Sequence, residues 1–156
     1  PVVVSHHMLM GLSKPFDKNA DRITQTIERK MSKSIPDSAI FMTDGPADLE
    51  RKISKAYCPP KQIEENPILE YCRYIIFEKY PEVEIIREEK YGGIIRVKNY
   101  EELVKLFAEG KVHPSDLKST VIRYLDELLM PIRDYFQKNP EAQRLKEEVE
   151  SFIVTR

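Results

Sequence analysis

Residues 113–133 read HPSDLKSTVIRYLDELLMPIR and decide the fold more than any other stretch of the chain. Pro114 suits the first position of a helix, because that position has no use for an amide donor. Apolar residues then recur at helical spacing on one face: Leu117, Val121, Tyr124, Leu125, Leu128, Leu129 and Ile132. The pattern predicts a long amphipathic helix, and Pro131 should kink or break it.

Four further helices are predicted by their start signals. The signals are Gly45-Pro46, Asn66-Pro67, the capping-box pair Asn99 and Glu102, and Asn139-Pro140. Two short β-branched runs, 83–87 and 94–98, flank the turn at Gly92-Gly93 and predict a small β-element. The expected fold is therefore mostly α, with four or five helices.

The front of the chain has a different character. Residues 2–4 read VVV, which is typical of a buried strand, and such a strand needs neighbouring strands. Residues 13–38 are polar with little periodicity, so they predict a loop longer than ordinary connections. Long loops within a domain are usually functional.

Composition excludes several functional classes. The 156 residues carry 25 Lys and Arg against 26 Asp and Glu, so no broad basic surface for nucleic acid is expected. Apolar runs are only a few residues long, far short of the ~20 that span a membrane, and no signal peptide is expected. Five glycines form neither common nucleotide loop. Cys58 and Cys72 have no C-x-x-C partner, so buried thiols are expected rather than zinc or a disulfide.

The chemically informative stretch is KMSKS at residues 30–34. Two lysines three residues apart, with hydroxyls between them, can surround a polyphosphate with ammonium, N–H and O–H donors. Such a group suits a reaction in which charge develops on departing pyrophosphate. A solvated Lys/Ser loop is the alternative, but this five-residue string arises by chance in roughly one of 10⁴ chains of this length.

The string is also the second signature of class I aminoacyl-tRNA synthetases, and the resemblance extends along nearly the whole chain. The matching segments, in order, are MLMGL at 8–12, KAYCP at 55–59, EKYGG at 89–93, HPSDLK at 113–118 and PIR at 131–133. In this order they resemble archaeal and eukaryotic tyrosyl-tRNA synthetases. Tryptophanyl enzymes share the layout, but the aromatic-Gly-Gly and His-Pro-x-Asp-Leu-Lys segments resemble the tyrosyl enzymes.

The resemblance implies a division of the chain. Residues 1–42 would be the C-terminal end of a Rossmann-type catalytic domain, with its last strand and its KMSKS loop. Residues 43–156 would be a helical anticodon-binding domain. The His-Ile-Gly-His-type motif and the tyrosine pocket of the family belong to an N-terminal half that this sequence does not contain. His6-His7 lacks the glycine of that motif, is interpreted as an ordinary strand-end pair, and gives no metal site.

The resemblance also implies roles for the loop residues. Lys30 and Lys33 would hold the ATP phosphates while the tyrosine carboxylate attacks the α-phosphorus, with Lys33 the stronger candidate for catalysis. Ser32 and Ser34 would add hydroxyl contacts, and Met31 would anchor the loop in an apolar slot. ATP with Mg²⁺ is then a substrate of the full enzyme, and no bound cofactor is expected.

Three residues of the helical part match the family's anticodon site. Tyr91 would stack on the first anticodon base, Asp116 would pair with its guanine edge, and His113 lies beside them. Each residue has a simpler interpretation from the sequence alone. Tyr91 could pack beside the glycine turn, Asp116 could be a first-turn acid favoured by the helix dipole, and His113 could flank the helix start.

The function expected from the resemblance is that of a tyrosine–tRNA ligase fragment, inactive in activation when isolated. Its partners would be tyrosine tRNA and the N-terminal catalytic half, with a homodimer of the full enzyme as a further candidate, in the cytoplasm and without membrane contact. The alternatives are a free-standing tRNA- or RNA-binding module without catalysis and a fragment of a tryptophanyl-tRNA synthetase.

Overall fold

The longest helix organises the fold. The structure is a computed structural model that describes residues 2–14, 31 and 35–152. Its helices are α1 (Pro46–Lys55), α2 (Pro67–Tyr71), α3 (Phe77–Lys79), α4 (Tyr100–Ala108), α5 (Pro114–Lys138) and α6 (Pro140–Ser151). A π-helical turn, Cys72–Ile76, joins α2 to α3, and short 3-10 turns cover Pro36–Ser38 and Glu89–Tyr91. The prediction of a mostly α fold is confirmed.

The small β-element has the predicted place and shorter strands. Strands β1 (Val83–Ile85) and β2 (Ile95–Val97) pair antiparallel, with Val83 opposite Val97 and Ile85 opposite Ile95. Helix α5 packs against α1, α2 and β1. An apolar core lies between these elements; its fully buried members include Leu49, Ile53, Ile68, Ile76, Ile85, Leu103, Phe107, Leu117 and Val121.

The helix starts follow local side-chain chemistry. The side-chain oxygens of Asn66, Asn99 and Asn139 each accept an amide hydrogen bond from the first turn of the helix that follows. At α4 the expected capping box is only half formed, because the Glu102 carboxylate accepts from the amide of Lys98 instead of that of Asn99.

Of the two outcomes predicted at Pro131, the break is wrong, since α5 continues through the proline to Lys138, and the kink stays a prediction. An interior proline removes one backbone hydrogen bond. Side-chain contacts span the site: Arg133 donates to the carbonyl oxygen of Asp126 at 3.2 Å and to its carboxylate at 2.5 Å. Leu129, one turn before Arg133, is buried in the core. These contacts hold the helix together across the proline.

Residues 2–4 form no strand in the described part of the chain, which does not contain the neighbouring strands that the prediction requires. Val2, Val3 and Val4 are 93%, 86% and 81% exposed and lie outside any strand. The reason is physical, because β-branched residues form a buried strand only when neighbouring strands accept their backbone hydrogen bonds. In the described part of the chain the sheet has two strands, β1 and β2, which pair with each other.

The segments on either side of residues 15–34 pack on the helices. The Leu12 amide donates to the Ser38 carbonyl at 3.0 Å, and the Leu12 carbonyl accepts from the Tyr57 amide at 2.8 Å. The His7 ring stacks on Tyr74 with the ring centroids 4.0 Å apart. A domain boundary after residue 42 stays a prediction.

The two cysteines are free thiols. Cys72 is buried, as predicted, and Cys58 is half-buried. Burial raises the pKa of both thiols above the ordinary value. Among the described residues no group of three or more His, Cys, Asp or Glu side chains could hold a metal ion. In the same part of the chain, no helix is both long and apolar enough to cross a bilayer.

Candidate functional site

A cleft of about 680 Å³ lies between the turn after β1 and the start of α5. Its lining comes from two short segments: Arg87, Glu88 and Tyr91 on one side, and Gly110, Lys111, His113, Ser115 and Asp116 on the other. The cleft therefore brings together the three residues of the predicted anticodon site. In the sequence, Tyr91 lies more than twenty positions before His113 and Asp116.

The first wall is a tight turn that presents an aromatic ring. The Tyr91 amide donates to the Glu88 carbonyl and the Gly92 amide to the Glu89 carbonyl, each at 2.9 Å. Gly92 has φ +95° and Gly93 φ +67°, in the left-handed region that favours glycine. The Tyr91 side chain is 62% exposed. Much of Tyr91 is therefore open to solvent, and the Lys90 ammonium lies over one face of its ring at 4.9 Å from the ring centre.

The second wall is the N-terminus of α5. His113 is the N-cap, and its Nδ1 accepts the Ser115 amide at 3.2 Å and lies 2.7 Å from Ser115 Oγ. A neutral ring that accepts at Nδ1 carries its proton on Nε2. Asp116 is half-buried in the first helical turn, where the positive end of the helix dipole favours a carboxylate.

The Asp116 carboxylate has acceptor capacity to spare. Among the described residues, no hydrogen bond or ion pair occupies its oxygens, whereas its backbone carbonyl accepts from Thr120 Oγ1 at 2.8 Å. A carboxylate accepts hydrogen bonds from two neighbouring N–H groups. The cleft thus combines an aromatic platform with a carboxylate, as a planar ligand with N–H donors on one edge requires.

The lysines at the rim are already paired. Lys90 Nζ lies 2.6 Å from a Glu88 carboxylate oxygen and 4.9 Å from the centre of the Tyr91 ring. Lys111 Nζ lies 2.7 Å from Glu109, and its ammonium lowers the pKa of that carboxyl. Neither of these two lysines therefore offers a free ammonium group to the part of the cleft that the structure describes.

Sequence reasoning missed the arginine that joins the two walls. Arg87 donates from Nε to the Gly93 carbonyl at 3.0 Å and from Nη1 to the Lys111 carbonyl at 2.8 Å. Its position just after β1 and before the glycine turn was the signal available in the sequence. Its target across the cleft depends on the fold.

Most of the KMSKS loop lies outside the described residues, namely Lys30, Ser32, Lys33 and Ser34. Met31 is half-buried and packs against the apolar core, in line with the apolar anchor expected for it. Its part in ATP binding stays a prediction.

A model of the class I tRNA synthetases (W and Y) matches residues 19–130, which is most of the chain. This chain belongs to that family. The tyrosine–tRNA ligase of Thermococcus onnurineus is 44% identical over 154 residues, covering 96% of this chain and 41% of the relative. The cytoplasmic tyrosine–tRNA ligase 2 of Arabidopsis thaliana is 44% identical over all of this chain and 19% of its own length.

The chain is also similar to solved structures of tyrosyl-tRNA synthetases. The tyrosyl-tRNA synthetase of Pyrococcus horikoshii, complexed with L-tyrosine, superposes with a TM-score of 0.80 at 42% identity, covering 92% of this chain and 40% of that one. The enzyme of Leishmania major, in complex with tyrosinol, gives a TM-score of 0.78 at 34% identity, covering 97% of this chain and 22% of that one. The synthetase chain described here corresponds to the C-terminal part of such enzymes and spans about two fifths of the Thermococcus relative.

Proposed function

We propose that this synthetase chain reads the anticodon of tyrosine tRNA through the cleft between Tyr91 and Asp116. The observation that carries the proposal is the meeting of Tyr91, His113 and Asp116 in one cleft. Membership of the tryptophanyl and tyrosyl family supports a tRNA as the ligand. The relatives named above are tyrosine enzymes, which favours tyrosine tRNA over tryptophan tRNA.

The recognition follows from elementary base chemistry. An unstacked anticodon base gains roughly 1–3 kcal/mol by stacking on an aromatic ring such as that of Tyr91. Guanine then offers N1–H and N2–H on one edge to the Asp116 carboxylate, whereas adenine offers no such pair. His113 Nε2–H is a further donor beside that edge. A chain with a net charge of −1 reads a base in this way without a broad basic surface.

We infer that the remaining chemistry belongs to the full enzyme. ATP with Mg²⁺ and tyrosine would react in an N-terminal catalytic half, and Lys30 and Lys33 would supply positive charge to the departing pyrophosphate. The isolated chain would then bind tRNA weakly and have no activation activity. A cytoplasmic location and a homodimer of the full enzyme complete the proposal.

The test is a titration of the chain with tyrosine tRNA and with the same tRNA carrying adenine at the first anticodon position. Guanine should bind at least about tenfold more tightly, the value expected of one bidentate contact. Equal affinities would contradict anticodon reading. Tryptophan tRNA is the control for the choice of amino acid.

A second candidate function is an RNA-binding module without catalysis. Its support is that the cleft is built wholly from residues 87–116, so binding needs no contribution from a catalytic half. Both candidates predict tRNA binding. Tyrosine-dependent pyrophosphate exchange by the product of the complete reading frame separates them, because only the ligase would show it.

A further inference from the structure

Arg87 bridges the two walls of the cleft through backbone carbonyls. Its Nε donates to Gly93 on the aromatic turn, and its Nη1 donates to Lys111 just before α5. Between Gly93 and Lys111 the chain runs through β2 and α4, so the guanidinium is a direct link between segments that the chain joins only indirectly. Because the guanidinium is planar and rigid, its two bonds fix both a distance and an angle.

The glycine turn is shaped around this bridge. A Cβ on Gly92 would lie 3.0 Å from Arg87 Nη2, which is closer than an unstrained contact. The missing side chain therefore leaves room for the guanidinium beside the turn that carries Tyr91. Arg87 itself is half-buried, unlike the exposed Arg96 on β2.

The two carbonyl bonds of Arg87 give it a positioning role. They take two of its five N–H donors, and the neighbouring lysines, Lys90 and Lys111, are paired with carboxylates. The three remaining N–H groups could also reach a phosphate, so the test below includes the salt dependence of binding, which a phosphate contact would change.

We propose that Arg87 is a positioning residue that sets the separation of Tyr91 from Asp116 and thereby the preference of the cleft for guanine. The inference rests on the proposed function, because it assigns the geometry of that same site. Stacking tolerates small shifts, since every base has a π-face, whereas a bidentate edge contact does not. Loss of the two Arg87 hydrogen bonds should therefore reduce the discrimination between guanine and adenine more than it reduces the affinity for tRNA.

The test titrates the 156-residue chain with the guanine and adenine forms of tyrosine tRNA at several salt concentrations. Arg87→Lys keeps the charge but cannot hold both carbonyls in the fixed fork, and Arg87→Met removes the charge as well. Both variants should reduce a guanine preference of at least about tenfold to about twofold. The dependence of log K on log salt should stay as in the unmodified chain. Arg96→Met is the matched control and should keep the full preference, because Arg96 is paired with Glu84 outside the cleft.

Gly92→Ala gives a second route that leaves Arg87 in place. The added methyl group meets the guanidinium at 3.0 Å and also strains a residue with φ +95°, so it should disturb both the bridge and the turn, with at least the same loss of preference. Thermal unfolding of each variant identifies the temperature at which it is folded for the titration.

Two results would overturn the inference while leaving the proposed function intact. One is an unmodified guanine preference in Arg87→Lys. The other is a salt slope that falls by about one unit in Arg87→Met and recovers in Arg87→Lys, which marks a phosphate contact. An unmodified chain that binds both tRNAs equally would instead overturn the proposed function, and the inference with it.

Discussion

The Lys52 ammonium lies 2.6 Å from the Asp44 carboxylate, and the two side chains are only 2% and 8% exposed. The same carboxylate accepts the Phe41 amide at 2.9 Å, and Lys52 Nζ lies 4.3 Å from the centre of the Phe41 ring. Arg133 on α5 donates to the Asp44 carbonyl at 3.1 Å. This buried pair therefore fixes the segment before α1 to both α1 and α5.

Removing one partner of this pair should strongly destabilise the chain. Asp44→Asn leaves the Lys52 ammonium buried without a counter-charge, and such changes cost about 3–5 kcal/mol. Urea unfolding followed by circular dichroism measures the loss. Lys55→Met is the control, because the Lys55 side chain is 70% exposed and its ammonium lies 4.0 Å from the Asp37 carboxylate. This substitution should change the free energy of unfolding by less than about 0.5 kcal/mol. Equal effects of the two substitutions would contradict the structural role given to the pair.

Tyr91→Ala should weaken tRNA binding without weakening the fold. Loss of a stacking platform lowers affinity roughly 5- to 150-fold, and Tyr91→Phe should keep most of it because the π-face remains. Fluorescence anisotropy with labelled tyrosine tRNA gives both affinities. Phe152→Ala, which removes another exposed aromatic side chain, should bind like the unmodified chain. Tight binding by Tyr91→Ala would exclude Tyr91 as the platform.

Asp116→Asn should reduce the preference for guanine at the first anticodon position. The amide places an N–H₂ group where an acceptor is required, so guanine should lose at least about tenfold in affinity, while adenine should gain because its N6–H₂ donor and N1 acceptor match an amide. Thermal unfolding of the same variant controls for the dipole of α5, which favours an acid at this position. If Asp116→Asn lowers the unfolding temperature but keeps the guanine preference, the dipole and not the base edge explains Asp116.

Both thiols should react slowly with iodoacetamide in the folded chain. Burial raises the pKa of Cys58 and Cys72, so less of the reactive thiolate is present at pH 8. The alkylation rate of each thiol should therefore rise at a higher pH than the rate of free cysteine. Cys72 should be the slower, since it is buried whereas Cys58 is half-buried. Mass spectrometry of timed samples assigns the two sites, and Cys58→Ser confirms the assignment. Both thiols should react at the same rate in guanidinium chloride, and a fast Cys72 without denaturant would contradict the fold.

Local chemistry explains why the helices were predictable from the sequence. The caps at Asn66, Asn99 and Asn139 act within three residues, so the signal and the structure lie in the same short window. The residues of the proposed anticodon site were found through motifs of a known family, and the cleft that they line depends on how β1 and α5 pack.

Most features that escaped prediction depend on partners outside the local sequence window, although the contacts that span Pro131 lie within one helix. Residues 2–4 have the composition of a strand, and the described part of the chain offers them no neighbouring strand. Lys52 has the sequence signature of a solvated residue on a helix, yet Asp44 and Phe41 cover it. Arg87 reaches a carbonyl 24 residues away, and no periodicity records such a contact.

Lys33→Ala in a full-length enzyme that contains this sequence should slow tyrosine activation. Loss of one charged donor at a departing pyrophosphate costs about 10²- to 10³-fold in rate, and most of the loss should fall on kcat, because the contact forms mainly in the transition state. Tyrosine-dependent pyrophosphate exchange measures it. Binding of tyrosine tRNA should stay unchanged, since the proposed anticodon cleft is lined by residues 87–116, and this binding is the internal control. A normal exchange rate in Lys33→Ala would remove the catalytic role from this lysine, while a parallel loss of tRNA binding would show that the substitution had damaged the fold instead.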